Sequence, residues 1–179
     1  MTEFPILIPD PITSAGNAEV KSLRALHERK YRKKSGWFLA EGTRICREAI
    51  ALGWGLHRLA FLAGRESDEM IRPLLEGLAA SGGRALPMTE ALLQRISRKD
   101  NPQILLGAFA QRWHDLQAVT LEGEKIWVAL DRVRDPGNLG TVMRTADAVG
   151  AAGIILVGEC TDPFSVEAVR ASMGAIFNV

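Results

Sequence analysis

Ile126-Trp127-Val128-Ala129-Leu130, then Asp131 to Gly150 (DRVRDPGNLGTVMRTADAVG), then Ile154-Ile155-Leu156-Val157, is the stretch that decides the fold. Its first five residues are an unbroken apolar run, which predicts a buried strand. The Asp131–Gly137 loop leads into a helix expected from Asn138 to Val149. Leu139, Val142, Met143, Ala146 and Val149 form its apolar stripe at helical spacing. Gly150–Gly153 turn the chain into the 154–157 strand. This is a β-loop-α-β unit with parallel strands and a right-handed crossover. Ligands of open α/β sheets gather at the carboxyl ends of strands, so the 131–137 loop is the candidate site. Pro136-Gly137 sets a turn, and Asn138 can cap the helix or serve a ligand. Gly140 falls in the first helical turn, where glycine weakens a helix by roughly 0.5–1 kcal/mol relative to alanine. Its presence implies close approach by another backbone or by a ligand. Thr141, Arg144 and Asp147 share a face apart from the stripe. The residues alone leave Arg144 open between a surface pair with Asp147 and a ligand contact. Two nucleotide motifs are excluded: GxGxxG is absent after the strand, and Gly137–Thr141 lacks the lysine of a P-loop.

Beyond this unit, Asp162-Pro163 begins a loop, Ser165–Ser172 reads as a short helix, and Ala175-Ile176-Phe177 is compatible with a strand. Two strands and a helix and a half bury too little to stand alone, so more chain or a partner is expected to cover them. Toward the N-terminus, 114–124 is more polar and reads as a linker. Residues 1–13, with Pro5, Pro9 and Pro11, read as an extended arm. Between them strands at Trp37–Ala40, His57–Leu62 and Ile104–Ala110 alternate with helices. One helix begins after Asn17 and fades near Lys34-Ser35-Gly36. The others are expected at Thr43–Leu52, Asp68–Ala80 and Thr89–Ile96, with a break at Gly82-Gly83. The alternation predicts an α/β domain with much parallel pairing, ending near Trp113. The expected organisation is an arm (1–13), a first domain (14–113), a linker (114–124) and a second domain (125–179).

The chain has 179 residues, 47% apolar and 24% charged, with 22 basic against 21 acidic side chains for a net charge of +1. That is an ordinary globular balance, and overall charge does not point to nucleic acid. The distribution does: Lys21, Arg24, Arg29, Lys30, Arg32, Lys33 and Lys34 face a single nearby acid, Glu28. Such a cluster either neutralises phosphates or forms a solvated helix face. Cys46 and Cys160 have neither disulfide-framework nor metal spacing, and His27, His57 and His114 are scattered. The expectation is a reduced, cytoplasmic protein without a metal. No run of 18 apolar residues exists, so no membrane span is expected.

Two longer motifs carry a family resemblance. Asp135–Ala151, DPGNLGTVMRTADAVGA, resembles the first signature motif of the SpoU/TrmH family, in the SPOUT class of knotted methyltransferases. Asp162–Phe177, DPFSVEAVRASMGAIF, resembles its second. Ser14, Asn17, Val20-Lys21, Leu23, Leu26, Arg29-Lys30 and Phe38-Leu39-Ala40-Glu41-Gly42 look like the substrate-binding domain found ahead of the catalytic domain in many members. The resemblance runs from Ser14 to Val179. It implies a ribosomal-protein-like α/β substrate-binding domain followed by the N-terminal part of a SPOUT knotted α/β domain. It also implies transfer of a methyl group from S-adenosylmethionine to a ribose 2′-hydroxyl of structured RNA, ribosomal RNA before transfer RNA.

By motif match Arg144 is the catalytic arginine, and Asn138 holds the active-site loop. Lys21, Arg24, Lys30, Arg32, Lys33 and Lys34 attract RNA phosphates. Arg170 and Ser172 bind a phosphate or brace the knot. The complete enzyme is expected to be a homodimer. Val166-Glu167 stands where the family commonly has Pro-Lys. The family's later Asn-Glu-Gly loop and Ser-Leu-Asn-Val motif have no counterpart, so no cofactor-binding residue is assigned, and the chain alone is expected to be inactive. The alternative is a non-catalytic RNA-binding protein derived from the same family.

Overall fold

A computed structural model describes residues 7–119 and 126–179. These form two compact units, the first ending at Ala110 and the second beginning at Gln111.

The first unit runs α1 (Ala18–Ala25), α2 (Arg29–Ser35), β1 (Trp37–Glu41), α3 (Thr43–Ala51), β2 (Leu56–Leu62), α4 (Arg72–Ala80), β3 (Arg84–Met88), α5 (Glu90–Ser97) and β4 (Leu105–Ala110). Its sheet has the order β1-β4-β2-β3. Only β2–β3 is parallel, whereas β4 pairs antiparallel with both β1 and β2. The expectation of much parallel pairing is therefore corrected for this unit: the last strand inserts between two earlier ones and runs against both. Phe38, Phe61 and Phe109 are fully buried within this layer, with Leu56, Leu59, Leu74, Leu75 and Leu78. Strand β3 is absent from the sequence pattern, because Pro87 argues against a strand. It lies at the sheet edge, where proline costs no ladder bond. There the Pro87 carbonyl accepts from the Ile12 N–H at 2.8 Å, so the described part of the N-terminal arm lies along β3. Residues 1–6 of that arm lie outside the described residues.

Asn17 caps α1 as expected, its Oδ1 accepting from the Glu19 N–H at 2.8 Å. The single helix expected from there to Lys34 is instead two, broken at Leu26–Glu28. The break is pinned from both sides. His27 Nε2 donates to the Ile96 carbonyl (2.7 Å), and Arg32 Nη1 donates to the Leu26 and His27 carbonyls (2.8 and 2.9 Å). Gly36, at φ 70°, ends α2 in the left-handed conformation that favours glycine. Helix α4 starts later than expected, at Arg72. Asp68 instead takes the Met70 N–H on its own carboxylate (2.9 Å) and forms a turn.

Cys46 is fully buried, and burial pushes its thiol up to about 12. Cys160 is partly exposed. Thiolate is the reactive species, so a thiol-reactive disulfide reagent should modify one cysteine per chain in native protein at pH 8, and both in denaturant. Rapid native labelling of both, followed by mass spectrometry, would contradict the burial of Cys46.

The second unit contains β5 (Trp127–Asp131), α6 (Pro136–Ala148), β6 (Gly153–Val157), α7 (Val166–Ser172) and short 3-10 turns at Leu116–Ala118 and Ala175–Phe177. Strands β5 and β6 pair in parallel, from Trp127↔Gly153 to Asp131↔Val157, as the sequence pattern predicts. Helix α6 packs on α7, on β6 and on the 175–177 turn. Trp113 sits edge-on to Phe164 with ring centroids 5.1 Å apart.

Three expectations are corrected in this unit. Strand β5 is only half-buried, with Ile126 beside it 52% exposed, because two strands cannot cover each other's faces. Ala175-Ile176-Phe177 is a buried 3-10 turn rather than a strand, and Gly174 at φ 107° bends the chain away from α7. Val149 lies past the end of α6 and is 58% exposed; the buried face is Leu139, Gly140, Met143 and Ala146. Residues 120–124 of the expected linker lie outside the described residues. No helix among those described is long and apolar enough to cross a membrane.

Candidate functional site

The loops after β5 and β6 are tied together at the carboxyl ends of the parallel strands. The Arg132 N–H donates to the Val157 carbonyl (3.0 Å) and the Thr161 N–H to the Val133 carbonyl (2.8 Å). Arg134 and Glu159 form an exposed ion pair at 3.6 Å. The Cys160 thiol lies 3.4 and 3.3 Å from the Leu130 and Val157 carbonyls. Arg132 adopts φ 54°, and its guanidinium grips the Asp131 carboxylate at 2.7–3.1 Å.

Asp135, not Asn138, caps α6: its Oδ1 accepts from the Asn138 N–H at 2.7 Å. The sequence signal lies in Asp135-Pro136, since proline favours the first helical position immediately after a capping acid. Asn138 is thereby displaced into the first turn, with its side chain exposed. Arg144 lies further along α6, between one and a half and two turns on, also exposed. Among the described residues its side chain makes no hydrogen bond or ion pair, so the surface pair with Asp147 does not form. Thr141 and Thr145 turn their hydroxyls inward, donating to the Gly137 and Thr141 carbonyls at 3.0 and 3.2 Å.

Gly140 resolves in favour of backbone approach. A Cβ there would stand 2.4 Å from the Ala171 Cβ, 2.7 Å from the Ala171 carbonyl carbon and 2.7 Å from the Ser172 nitrogen. Backbone cannot yield as a side-chain tip can, so α6 and α7 would have to separate. Gly140→Ala should destabilise the unit by about 1–3 kcal/mol through overpacking, less the ~0.5–1 kcal/mol that alanine gains in a helix. A rise in urea midpoint on this substitution would overturn the close-approach reading. Ser172 is buried and donates to the Val169 carbonyl at 2.8 Å, which is a bracing role. Arg170 is exposed on α7 and keeps contacts within the structure. Glu167 is exposed in the first turn of α7, where an acid suits the helix dipole, while Val166 is buried.

In the first unit, Lys21 and Arg24 are exposed one turn apart on α1, and Arg29, Lys33 and Lys34 are exposed on α2. Lys30 is exposed but committed: its ammonium is 3.1 Å from Glu28, which raises its pKa, and it lies 4.9 Å from the centre of the Tyr31 ring. Arg32 does not belong to this surface. It is 3% exposed, with its guanidinium spent on the two carbonyls at the α1–α2 break. The expectation that it contacts phosphate is corrected: desolvation and carbonyl partners make it a structural residue.

Residues 17–107 match the MRM3-like substrate binding domain, and residues 125–179 match the SpoU rRNA Methylase family. An uncharacterized tRNA/rRNA methyltransferase of Synechocystis is 34% identical over 92% of this chain and 58% of its own length. The 23S rRNA (uridine(2479)-2′-O)-methyltransferase of Streptomyces viridochromogenes is 30% identical over 91% of this chain and 56% of its own. The crystal structure of an AdoMet-bound rRNA methyltransferase from Sinorhizobium meliloti superimposes with a TM-score of 0.87 at 44% identity, over 95% of this chain and 62% of that one. The chain thus spans a little under two thirds of these relatives' lengths. With both segments matched in order, and with the architecture of solved SPOUT methyltransferases, the chain belongs to the SpoU family of rRNA methylases and carries an MRM3-like substrate-binding domain.

Proposed function

We propose that this chain serves RNA ribose 2′-O-methylation, with ribosomal RNA as substrate and S-adenosylmethionine as methyl donor, in a cytoplasmic protein of the relatives' full length. The carrying observation is Arg144: an exposed guanidinium without a partner among the described residues, on the helix that leaves the carboxyl end of a parallel strand pair. A planar guanidinium suits the phosphate beside an acceptor ribose and can orient its hydroxyl. Asn138, exposed one and a half turns earlier on α6, is the second candidate for contact with the ribose. Arg170 on α7 is a further phosphate contact in this proposal.

The donor finds no holder among the described residues. At the ends of β5 and β6 the Cys160 thiol meets the Leu130 and Val157 carbonyls, and the Arg132 N–H donates to the Val157 carbonyl. No residue of this chain is therefore assigned to it, and no step is routed through it.

In this reading residues 14–113, whose compact body ends at Ala110, bind RNA, and residues 125–179 contribute to a catalytic domain that dimerises. The exposure of Ile126, Val149 and Val157 supports a cover for the second unit from elsewhere. Lys21, Arg24, Lys33 and Lys34 supply the phosphate contacts. Replacing Lys21, Lys33 and Lys34 with alanine should weaken RNA binding and lower the slope of log affinity against log salt by roughly 0.7–0.9 for each phosphate left without its cation. An unchanged slope in filter binding would place the RNA site elsewhere. The overall reading is tested by mapping ribose methylation in ribosomal RNA from a strain lacking the protein: loss at a single ribose is expected, and an unaltered map rejects ribosomal RNA as substrate.

A further inference from the structure

Tyr31 is the chain's single tyrosine, and it stands in the basic helix α2 between Lys30 and Lys33 with 40% of its surface exposed. Every other described aromatic side chain of the first unit is engaged. Phe38, Trp54, Phe61 and Phe109 are buried. Trp37 stacks on His57 with ring centroids 4.7 Å apart and carries the Arg58 guanidinium 4.9 Å from its ring centre. Among the described residues Tyr31 is thus the ring this unit offers to solvent, and its surroundings are cationic: Arg29, Lys33 and Lys34 are exposed on the same short helix.

The backbone that carries the ring is held in place. The Tyr31 carbonyl accepts from Ser35 Oγ (2.9 Å), and its N–H is bonded to the Glu28 carbonyl (3.0 Å), fixing the turn that carries it. Lys30, held by Glu28 at 3.1 Å, has its ammonium 4.9 Å from the ring centre. A π-surface on a rigid element, flanked by free cations, is the arrangement that binds single-stranded nucleic acid. The base lies on the ring and the neighbouring phosphates meet the cations. Paired bases within an A-form helix are not available for this contact, whereas splayed loop bases are.

We infer that Tyr31 is a base-stacking residue, taking an unpaired RNA base whose flanking phosphates sit on Lys33 and Lys34. This deepens the RNA-binding role proposed above and rests on it.

The test uses the 179-residue chain with two fluorescein-labelled RNAs, a hairpin with an unpaired loop and a fully paired duplex of equal length. Tyr31→Ala should weaken hairpin binding on the order of tenfold, with duplex affinity and the salt slope unchanged. Tyr31→Phe should retain hairpin affinity, because the ring and not the hydroxyl makes the stack. Alanine is at least as good a helix former as tyrosine, so α2 is retained. Lys33→Ala with Lys34→Ala should weaken both RNAs. If that pair of substitutions changes neither RNA, the RNA-binding reading itself falls. If it weakens both while Tyr31→Ala binds the hairpin normally, or loses hairpin and duplex equally, the stacking assignment is overturned.

Discussion

Arg32→Ala should lower the stability of the first unit by about 3 kcal/mol, while the protein that remains folded binds RNA as before. Arg32 lies within a run of bases that looks uniform in sequence, yet it is the buried member. One guanidinium nitrogen spans the Leu26 and His27 carbonyls at 2.8 and 2.9 Å. Those carbonyls lie at the break where α1 has ended and α2 has not begun. Hydrogen bonds to a charged donor contribute about 1.5–3 kcal/mol each, and two orphaned acceptors add a desolvation penalty when the donor is removed. The substitution also removes a side-chain tie at the break between α1 and α2, leaving in place the 2.7 Å bond from His27 to Ile96. Urea denaturation followed by circular dichroism measures the first effect, and filter binding below the transition measures the second. A fully stable variant with weakened RNA affinity would return Arg32 to the phosphate-binding surface.

This residue marks the boundary of what the sequence could show. Val20, Leu23 and Leu26 recur at helical spacing in the sequence, and all three are buried. That spacing could not show that the helix breaks at His27, because the break depends on a carbonyl of α5 that is 69 residues away. Charge alone likewise gave Arg32 and Lys33 the same status. Only the tertiary position of the break separates them.

The β-loop-α-β unit was legible because its signals are local: two apolar runs flank one amphipathic helix. What the local pattern hid was which residue does which job. Asn138 and Asp135 are both good caps, and the choice was settled by where proline fixes the first turn. Gly140 announced a close approach without naming its partner, since Ala171 and Ser172 are about 30 residues distant in sequence. The mixed sheet of the first unit was hidden for a related reason. Alternating strands and helices suit parallel pairing equally well until the last strand, β4, chooses its neighbours.

In a protein of the relatives' full length, Arg144→Ala should reduce single-turnover methyl transfer on the order of 100-fold or more. Stability should change by no more than about 0.5 kcal/mol, as for other surface positions. The contrast follows from the site. Arg144 is exposed on α6, and no described residue takes its guanidinium, so removing it breaks no internal contact. Its neighbours on that face, Thr141 and Thr145, direct their hydroxyls to the helix backbone and cannot substitute for it. A guanidinium carries N–H donors and no acceptor. In the proposed role it therefore holds phosphate and orients the acceptor hydroxyl as a planar donor, rather than removing a proton. Arg144→Lys should recover little, because an ammonium lacks the paired donors that fix a phosphate's orientation. Calorimetry should find S-adenosylmethionine binding nearly unchanged in both variants. RNA affinity should fall only modestly, since the proposed phosphate contacts lie mostly in the first unit. Normal turnover in the alanine variant would remove Arg144 from the active site; lost turnover with an equal loss of stability would make it a structural residue of α6.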